Sequence, residues 1–344
     1  MGNKPDVRHY FAEGVTNRGY ISLLPNMMSK WERTYVLMGG PGTGKSTLIK
    51  MIGLELLDRG YEVDFLRSAR DPDSIAGLLL RRFRLAMLDQ CEIAPLQWRA
   101  PGIIEQFFDL TGYCDLRILD QKRQSVLELE QEITRVHQQI GEILAEELGE
   151  RLRQKSYTDK NKAKGRPWLP NLYPAEESKE VSPWLKAQDA IKKLQQSDVN
   201  SFFLHGMDRQ GWRNLAPHYL SDYDQICLDG EETHEAMDWV FKEAEQLGQV
   251  IDIVLHPLNP DEILGIIFPE RNLVIWQGAP DCLEDQGLGC PFSSKLSEAL
   301  TGAQNIRDQL KSIYMSAMDF DQVDFLRNEM INSILRYIEQ KHTF

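Results

Sequence analysis

The sequence predicts an α/β protein of two tandem units, each a parallel sheet flanked by helices, with a long helical insertion between them. Three observations predict it. An apolar run, a glycine-rich loop and an amphipathic run follow one another over residues 34–60. The opening part of the chain recurs in weakened form about 190 residues later. From Leu119 onward, apolar residues alternate spacings of three and four, the signature of a long helix.

Size and composition fit this reading. A chain of 344 residues suits two domains. A net charge of -13 argues against a broad nucleic-acid or membrane surface. No apolar run reaches the roughly 20 residues that span a bilayer, and MGNKPDVRHYFAEG lacks the apolar core of a signal peptide. Gly2 is present, but Asp6 stands where myristoylation needs Ser or Thr. The five cysteines, Cys91, Cys114, Cys227, Cys282 and Cys290, form no C-x-x-C pair, and the seven histidines are scattered. We expect reduced thiols, a cytoplasmic location and no structural metal centre.

The first unit is expected over residues 1–154. TYVLM, residues 34–38, reads as a buried strand. In STLIKMIGLELLDRG, residues 46–60, Leu48, Ile49, Ile52, Leu56 and Leu57 recur at helical spacing, and Gly60 sits where a helix ends on glycine. Between them, Gly39-Gly40-Pro41-Gly42-Thr43-Gly44-Lys45-Ser46 fits G-x-x-x-x-G-K-[ST], followed by Thr47. The glycines let backbone N–H groups converge on phosphate oxygens, and the helix beginning near Gly44 aims its positive end at the same anion. Lys45 supplies a mobile charge for the β and γ phosphates, and Ser46 a hydroxyl for Mg²⁺. FRLAMLDQ, residues 83–90, reads as an apolar strand ending in Asp89, the candidate second magnesium ligand. The residue after Asp89, where many fast ATPases carry a water-activating glutamate, is Gln90. Glu92 stands two further on. Turnover is therefore expected to be slow or partner-triggered.

The second unit is expected over residues 196–344. YFAEGVTNRGYISLLP (10–25) lies over FFLHGMDRQGWRNLAP (202–217), pairing Gly14 with Gly206, Gly19 with Gly211 and Tyr20 with Trp212. GYEVDFL matches GQVIDIVL with Asp64 on Asp252, and DPDSIAG (71–77) matches NPDEILG (259–265). At an offset of 190, GPGTGKST lies over GEETHEAM, so Lys45 becomes Glu235, Ser46 becomes Ala236, and Glu231, Glu232 and Glu235 crowd the anion site. The drift in offset is assigned to one deletion before the loop and one in the helix after it. The copy is expected to keep its fold and lose phosphate binding. His205, His234 and His256 fall in this half. They are either ordinary hydrogen-bonded residues or the lining of a different pocket.

The opening segment RHYFAEGVTNRG, the GGPGTGKS loop and the DPDS turn resemble a bacterial family of tandem P-loop ATPases, nucleotide-kinase-like in kind. The resemblance spans both halves. It implies ATP bound through Gly44, Lys45 and Ser46, in a cytoplasmic protein. The family's second half often keeps a recognisable loop, and this chain departs there at Glu235 and Ala236.

The helical arm covers about residues 116–154. Val126, Leu129, Ile133, Val136, Ile140 and Ile143 form its seam, which suits either a bundle packed on its own domain or a coiled coil with a partner or second copy. Residues 155–195, rich in Pro, Lys and Ser, read as a linker. Its run Lys160, Lys162, Lys164 and Arg166 is the sole candidate nucleic-acid patch, and such a run is more often simply solvated. Residues 296–341 read as two helices broken near MDFDQ, with Tyr314 and Met318 facing the core. Three functions stay open: an ATPase with a structural second half, a small-molecule or nucleotide kinase, and an ATP-responsive scaffold with little turnover. In the kinase, Arg70, Asp71 and Asp73 would line the acceptor site. The alternative for DPDS is a turn that caps a helix through Asp73 or Ser74.

Overall fold

The computed structural model describes residues 7–16, 19–93, 96–159, 200–209, 211–228, 233–278 and 293–342. The expected linker from residue 160 on, with its basic run, lies outside them, as do Glu231, Glu232, Cys282 and Cys290.

The first unit runs β1 (Val7–Phe11), β2 (Glu13–Thr16), β3 (Gly19–Ser22), α1 (Leu24–Met28), β4 (Arg33–Met38), α2 (Lys45–Asp58), β5 (Val63–Arg67), β6 (Ile75–Leu80), β7 (Leu85–Asp89) and β8 (Glu105–Asp109). Its sheet has the order β1-β5-β6-β7-β4-β8. β1 pairs parallel with β5, and β4 parallel with β7 and β8. β5, β6 and β7 form an antiparallel meander. The sheet is therefore mixed where a parallel one was expected. The connections on either side of β6 are too short for a crossover, which takes a dozen or more residues.

The long arm follows as α3 (Leu116–Gln121) and α4 (Arg123–Asp159). The second unit then repeats the first: β9 (Asn200–Phe202), β10 (His205–Asp208), β11 (Gly211–Asn214), α5 (Ala216–Tyr219), β12 (Asp224–Leu228), α6 (Thr233–Gln246), β13 (Asp252–Leu255), β14 (Ile263–Phe268) and β15 (Leu273–Gln277). Its sheet order, β12-β15-β14-β13-β9, is the first sheet read backwards and without β8. The correspondence reaches single residues. A register shift falls at Leu66/Arg67 in one sheet and at Val254/Leu255 in the other. Arg84 and Asn272 hold matching positive φ angles of 49° and 51°.

The two sheets bury one face against each other. Tyr10, Leu66, Ala86 and Leu88 share a core with Phe202, Val254, Val274 and Trp276. The opposite face of the second sheet is covered by Met237, Phe241 and Ala244 of α6. That of the first is covered by Leu48, Ile49, Ile52 and Leu56 of α2, together with the last helix, α8 (Phe320–His342), through Leu326, Met330 and Ile334. The preceding helix, α7 (Ser294–Ala317), pairs with α4. Ile133 and Ile140 of the seam, with Leu144 beside them, meet Leu296, Ala303, Ile306 and Leu310 of α7. The seam therefore has a partner within the chain. The two C-terminal helices follow the second unit in sequence but pack on the first unit and its arm.

Candidate functional site

The glycine loop leaves β4 and enters α2 through three residues of positive φ: Gly39 at 131°, Gly42 at 85° and Gly44 at 91°. L side chains resist such values, which is why glycine stands at these turns. Gly44 is the N-cap, so Lys45 opens the helix, Ser46 follows and Thr47 is exposed. Lys45 is only 3 % exposed. Its Nζ donates to the Gly39 and Gly40 carbonyls at 2.7 Å each and lies 3.6 Å from Asp89 Oδ1. The Thr43 hydroxyl donates to Gly40 O at 2.9 Å, closing the loop on itself. The Ser46 hydroxyl accepts the Ile75 N–H at 2.8 Å.

Asp89 reaches this site because β7 lies beside β4, with Leu37 opposite Asp89 in the register. Burial raises its carboxyl above the usual carboxylate range, against the pull of the Lys45 ammonium. Its Oδ1 accepts the Cys91 N–H at 2.9 Å, and the Cys91 thiol donates to Gly39 O at 2.8 Å. Burial also raises the Cys91 thiol. The structure thus brings together Gly39, Gly40, Pro41, Gly42, Thr43, Gly44, Lys45, Ser46 and Asp89.

Other parts of the site come from far along the chain. A Cβ on Gly40 would stand 2.1 Å from the Tyr314 ring, and one on Gly42 would stand 2.5 Å from the Lys311 carbonyl. Gly44 faces Phe320. The α7–α8 junction therefore lies directly on the loop. Tyr314 is half-buried there and does not face the core as expected, since the loop's glycines leave room for its ring. Met318 is half-buried at the core's edge, with Cys114 Sγ 3.1 Å from its sulfur.

The DPDS turn leads into strand β6, not into a helix. Its cap is Ser68, whose hydroxyl accepts the Arg70 and Asp71 N–H groups at 3.1 Å each. Asp71 is paired with Lys311 at 2.7 Å and Asp73 with Arg213 at 3.2 Å. Arg70 donates to Cys91 O at 2.9 Å. Burial alone would raise the Glu92 carboxyl. The charge of Arg307 and the Ser68 hydroxyl, 2.6 Å away, outweigh it and hold Glu92 low. Arg307, Lys311 and Tyr314 belong to no local motif. Arg307 left one trace: it sits at helical spacing among Leu300, Ala303 and Leu310, a cation on an apolar face.

In the second unit the structural register differs from the one read off the loop. Leu228 lies opposite Gln277 as Leu37 lies opposite Asp89. The buried Thr233, Met237, Phe241 and Ala244 of α6 occupy the places of Lys45, Ile49, Gly53 and Leu56 of α2. Lys45 therefore corresponds to Thr233, and Ser46 to His234. Glu235 and Ala236 stand further into the helix than the sequence alignment put them. One deletion falls within the loop itself, not in the helix after it. Counted from Leu37 and Leu228, which share a register position, four residues (229–232) precede α6 where seven (38–44) precede α2. Asp89 gives way to Gln277, a loss the sequence reading missed. His256 takes the place of Ser68, its Nδ1 accepting the Leu258 and Asn259 N–H groups at 3.2 and 3.0 Å. It is a structural cap. His234 lies 3.9 Å from Glu262 near the surface.

Among the described residues, no cluster of three or more His, Cys, Asp or Glu side chains is placed to hold a metal, and no helix is long and apolar enough to cross a membrane. No family model, curated protein or solved structure matches the chain.

Proposed function

We propose that the chain is a P-loop NTPase that binds Mg·ATP at the first loop and hydrolyses it slowly, with the second unit a copy that binds no nucleotide. One observation carries this reading: Lys45 and Asp89 converge at 3.6 Å on a loop whose three positive-φ glycines join a strand to a helix. The donor set fits a triphosphate. Backbone N–H groups at a helix N-terminus, a lysine and a hydroxyl are what such an anion requires. Ser46 and Asp89 would hold magnesium, which when bound neutralises charge on the phosphates.

The chain's own groups account for the rest. Lys45 must leave the Gly39 and Gly40 carbonyls to meet an anion, so the closed loop resembles a resting form. Gln90 has no charge with which to activate water. Glu92 is engaged by Ser68 and Arg307. Both features favour slow turnover. The second loop, shorter by three residues, lacks the lysine, the magnesium-binding serine and the carboxylate that would serve phosphate and metal in the first.

The kinase reading draws support from a cavity beside the loop, lined by Pro41, Arg70 and Gln90. It loses support because Asp71 and Asp73 are tied in ion pairs.

Incubation with Mg·ATP, alone and with nucleosides and sugars, separates these activities. Phosphate release without acceptor supports the ATPase, acceptor-dependent ADP the kinase, and retention without turnover the scaffold. Lys45→Ala is expected to weaken ATP binding by at least about 10-fold, the value of a charge-assisted hydrogen bond. Glu235→Ala is expected to leave it unchanged. Equal affinity in wild type and Lys45→Ala sinks the proposal.

A further inference from the structure

A cavity of about 780 Å³ lies between the two units and under α4. That is within the range of roughly 300–1,000 Å³ typical of small-molecule sites. Pro41, Arg70 and Gln90 line the end nearest the glycine loop, and His205 and Met207 belong to the second unit's wall. Ile133 and Ile140 of α4 and Leu300 and Leu310 of α7 supply apolar surface.

Two buried polar side chains line this cavity with hydrogen-bonding capacity unmet. Arg307 is 5 % exposed; it gives one guanidinium nitrogen to Glu92, while its Nε–H meets no acceptor. His205 is 2 % exposed, and of its two ring nitrogens at most one is met, by the Asn214 side chain. The Asn214 carboxamide oxygen also accepts from the Ala216 N–H at 2.9 Å. Leaving such a group unpaired costs about 1–3 kcal/mol. Two on one cavity point to an occupant that satisfies both.

The charges say what kind. Glu13, Glu92, Glu130, Glu142, Arg70, Arg209 and Arg307 line the cavity. Glu92 is already held by Arg307 and Ser68. At His137, burial together with the fields of Arg70 and Arg307 outweighs that of Glu92. Arg70 and Arg307 both act on the His137 imidazole, so an anion seated there meets two cations.

We propose that this cavity binds a small amphipathic organic anion. Its acidic group lies against Arg70, His137 and the Arg307 Nε–H. Its apolar body runs along α4 and α7, and a hydroxyl or amide meets His205. The site stands independently of nucleotide binding. Under the reading above, the anion would lie beside the phosphate loop.

The probes are 8-anilinonaphthalene-1-sulfonate and its uncharged twin N-phenyl-1-naphthylamine, titrated by fluorescence into the full chain. One saturable site is expected, with the sulfonate bound at least about 10-fold more tightly, as a charge-assisted contact implies. Ala303→Phe, which puts a ring into the cavity, should weaken both probes. Arg70→Gln should weaken the sulfonate alone, and Lys45→Ala neither. Imidazole NMR of the wild type needs no variant: of seven histidines, His137 and His205 should shift on adding the sulfonate. Equal affinity for the two probes, binding indifferent to Ala303→Phe, or shifts confined to other histidines overturns the proposal. Failure of wild-type chain to bind ATP would sink the nucleotide reading and leave this result standing.

Discussion

Lys45 and His205 occupy comparable depths in their units and carry opposite electrostatic histories. Inside the fold, two carbonyls and Asp89 surround the Lys45 ammonium. Burial pulls the His205 imidazole down to about 3, and the Asn214 side chain beside it offsets little of that. His9 and His137 are likewise lowered to about 4, first by burial and then by neighbouring arginines. Each is neutral when folded and takes up a proton on unfolding once the pH is below about 6.5. A depressed histidine therefore contributes fully above that pH, and its contribution is lost as pH falls toward the folded value. His205 alone should cost about 2 kcal/mol at pH 5 relative to pH 7.5. The urea midpoint should fall over that interval, and His205→Leu should flatten the fall. An unchanged slope in the variant would place the acid sensitivity elsewhere.

At the scale of elements, what could be read from sequence was what is local. Strand β4, the loop and α2 lie within 26 residues, so each residue's type declares its place: apolar in the strand, glycine at positive φ, periodic leucines in the helix. Asp89 was legible because an apolar strand ending in a carboxylate is itself a short pattern. The register of the second loop was not. Its match of Gly40 to Gly230 and Thr43 to Thr233 at a constant offset hid a shortening that only the buried face of α6 reveals. Nor was the packing of α7 on the loop legible, since Tyr314 stands 274 positions from Gly40 and no periodicity encodes that pairing. This contact predicts a coupling. Gly40→Ala drives a methyl toward the Tyr314 ring and should cost about 1–3 kcal/mol, as overpacking does. In a Tyr314→Ala background the same change should cost under about 1 kcal/mol. Urea unfolding of the four proteins measures the difference. Equal costs in both backgrounds would mean that α7 does not rest on the loop in solution.

Across the whole molecule, the two units meet as near-equals about a local two-fold relation. Phe11 and Phe203 exchange backbone hydrogen bonds of 2.8 Å in both directions. Gly14 faces the Phe203 ring as Gly206 faces that of Phe11, so two equivalent glycines admit two equivalent rings. The symmetry breaks at one cation. Arg81 bridges Asp64 of one sheet and Asp252 of the other, the latter at 3.0 Å, and its place in the second unit is taken by Pro269. Tyr10 donates to Asp64 at 3.1 Å and Asn200 to Asp252 at 3.0 Å, so both carboxylates are held from each side. They are 5 % and 2 % exposed, and removing the shared guanidinium leaves two buried negative charges facing each other. Arg81→Met should therefore destabilise the chain by about 3–5 kcal/mol, the cost of breaking a buried pair from one side. Adding Asp64→Asn and Asp252→Asn removes both charges and should recover most of the loss, because the penalty lies in the unpaired carboxylates and not in a missing contact. Urea midpoints of the single and triple variants decide it. If the triple variant is no more stable than Arg81→Met, the two sheets are held together by their shared apolar core alone, and Arg81 contributes only its stem.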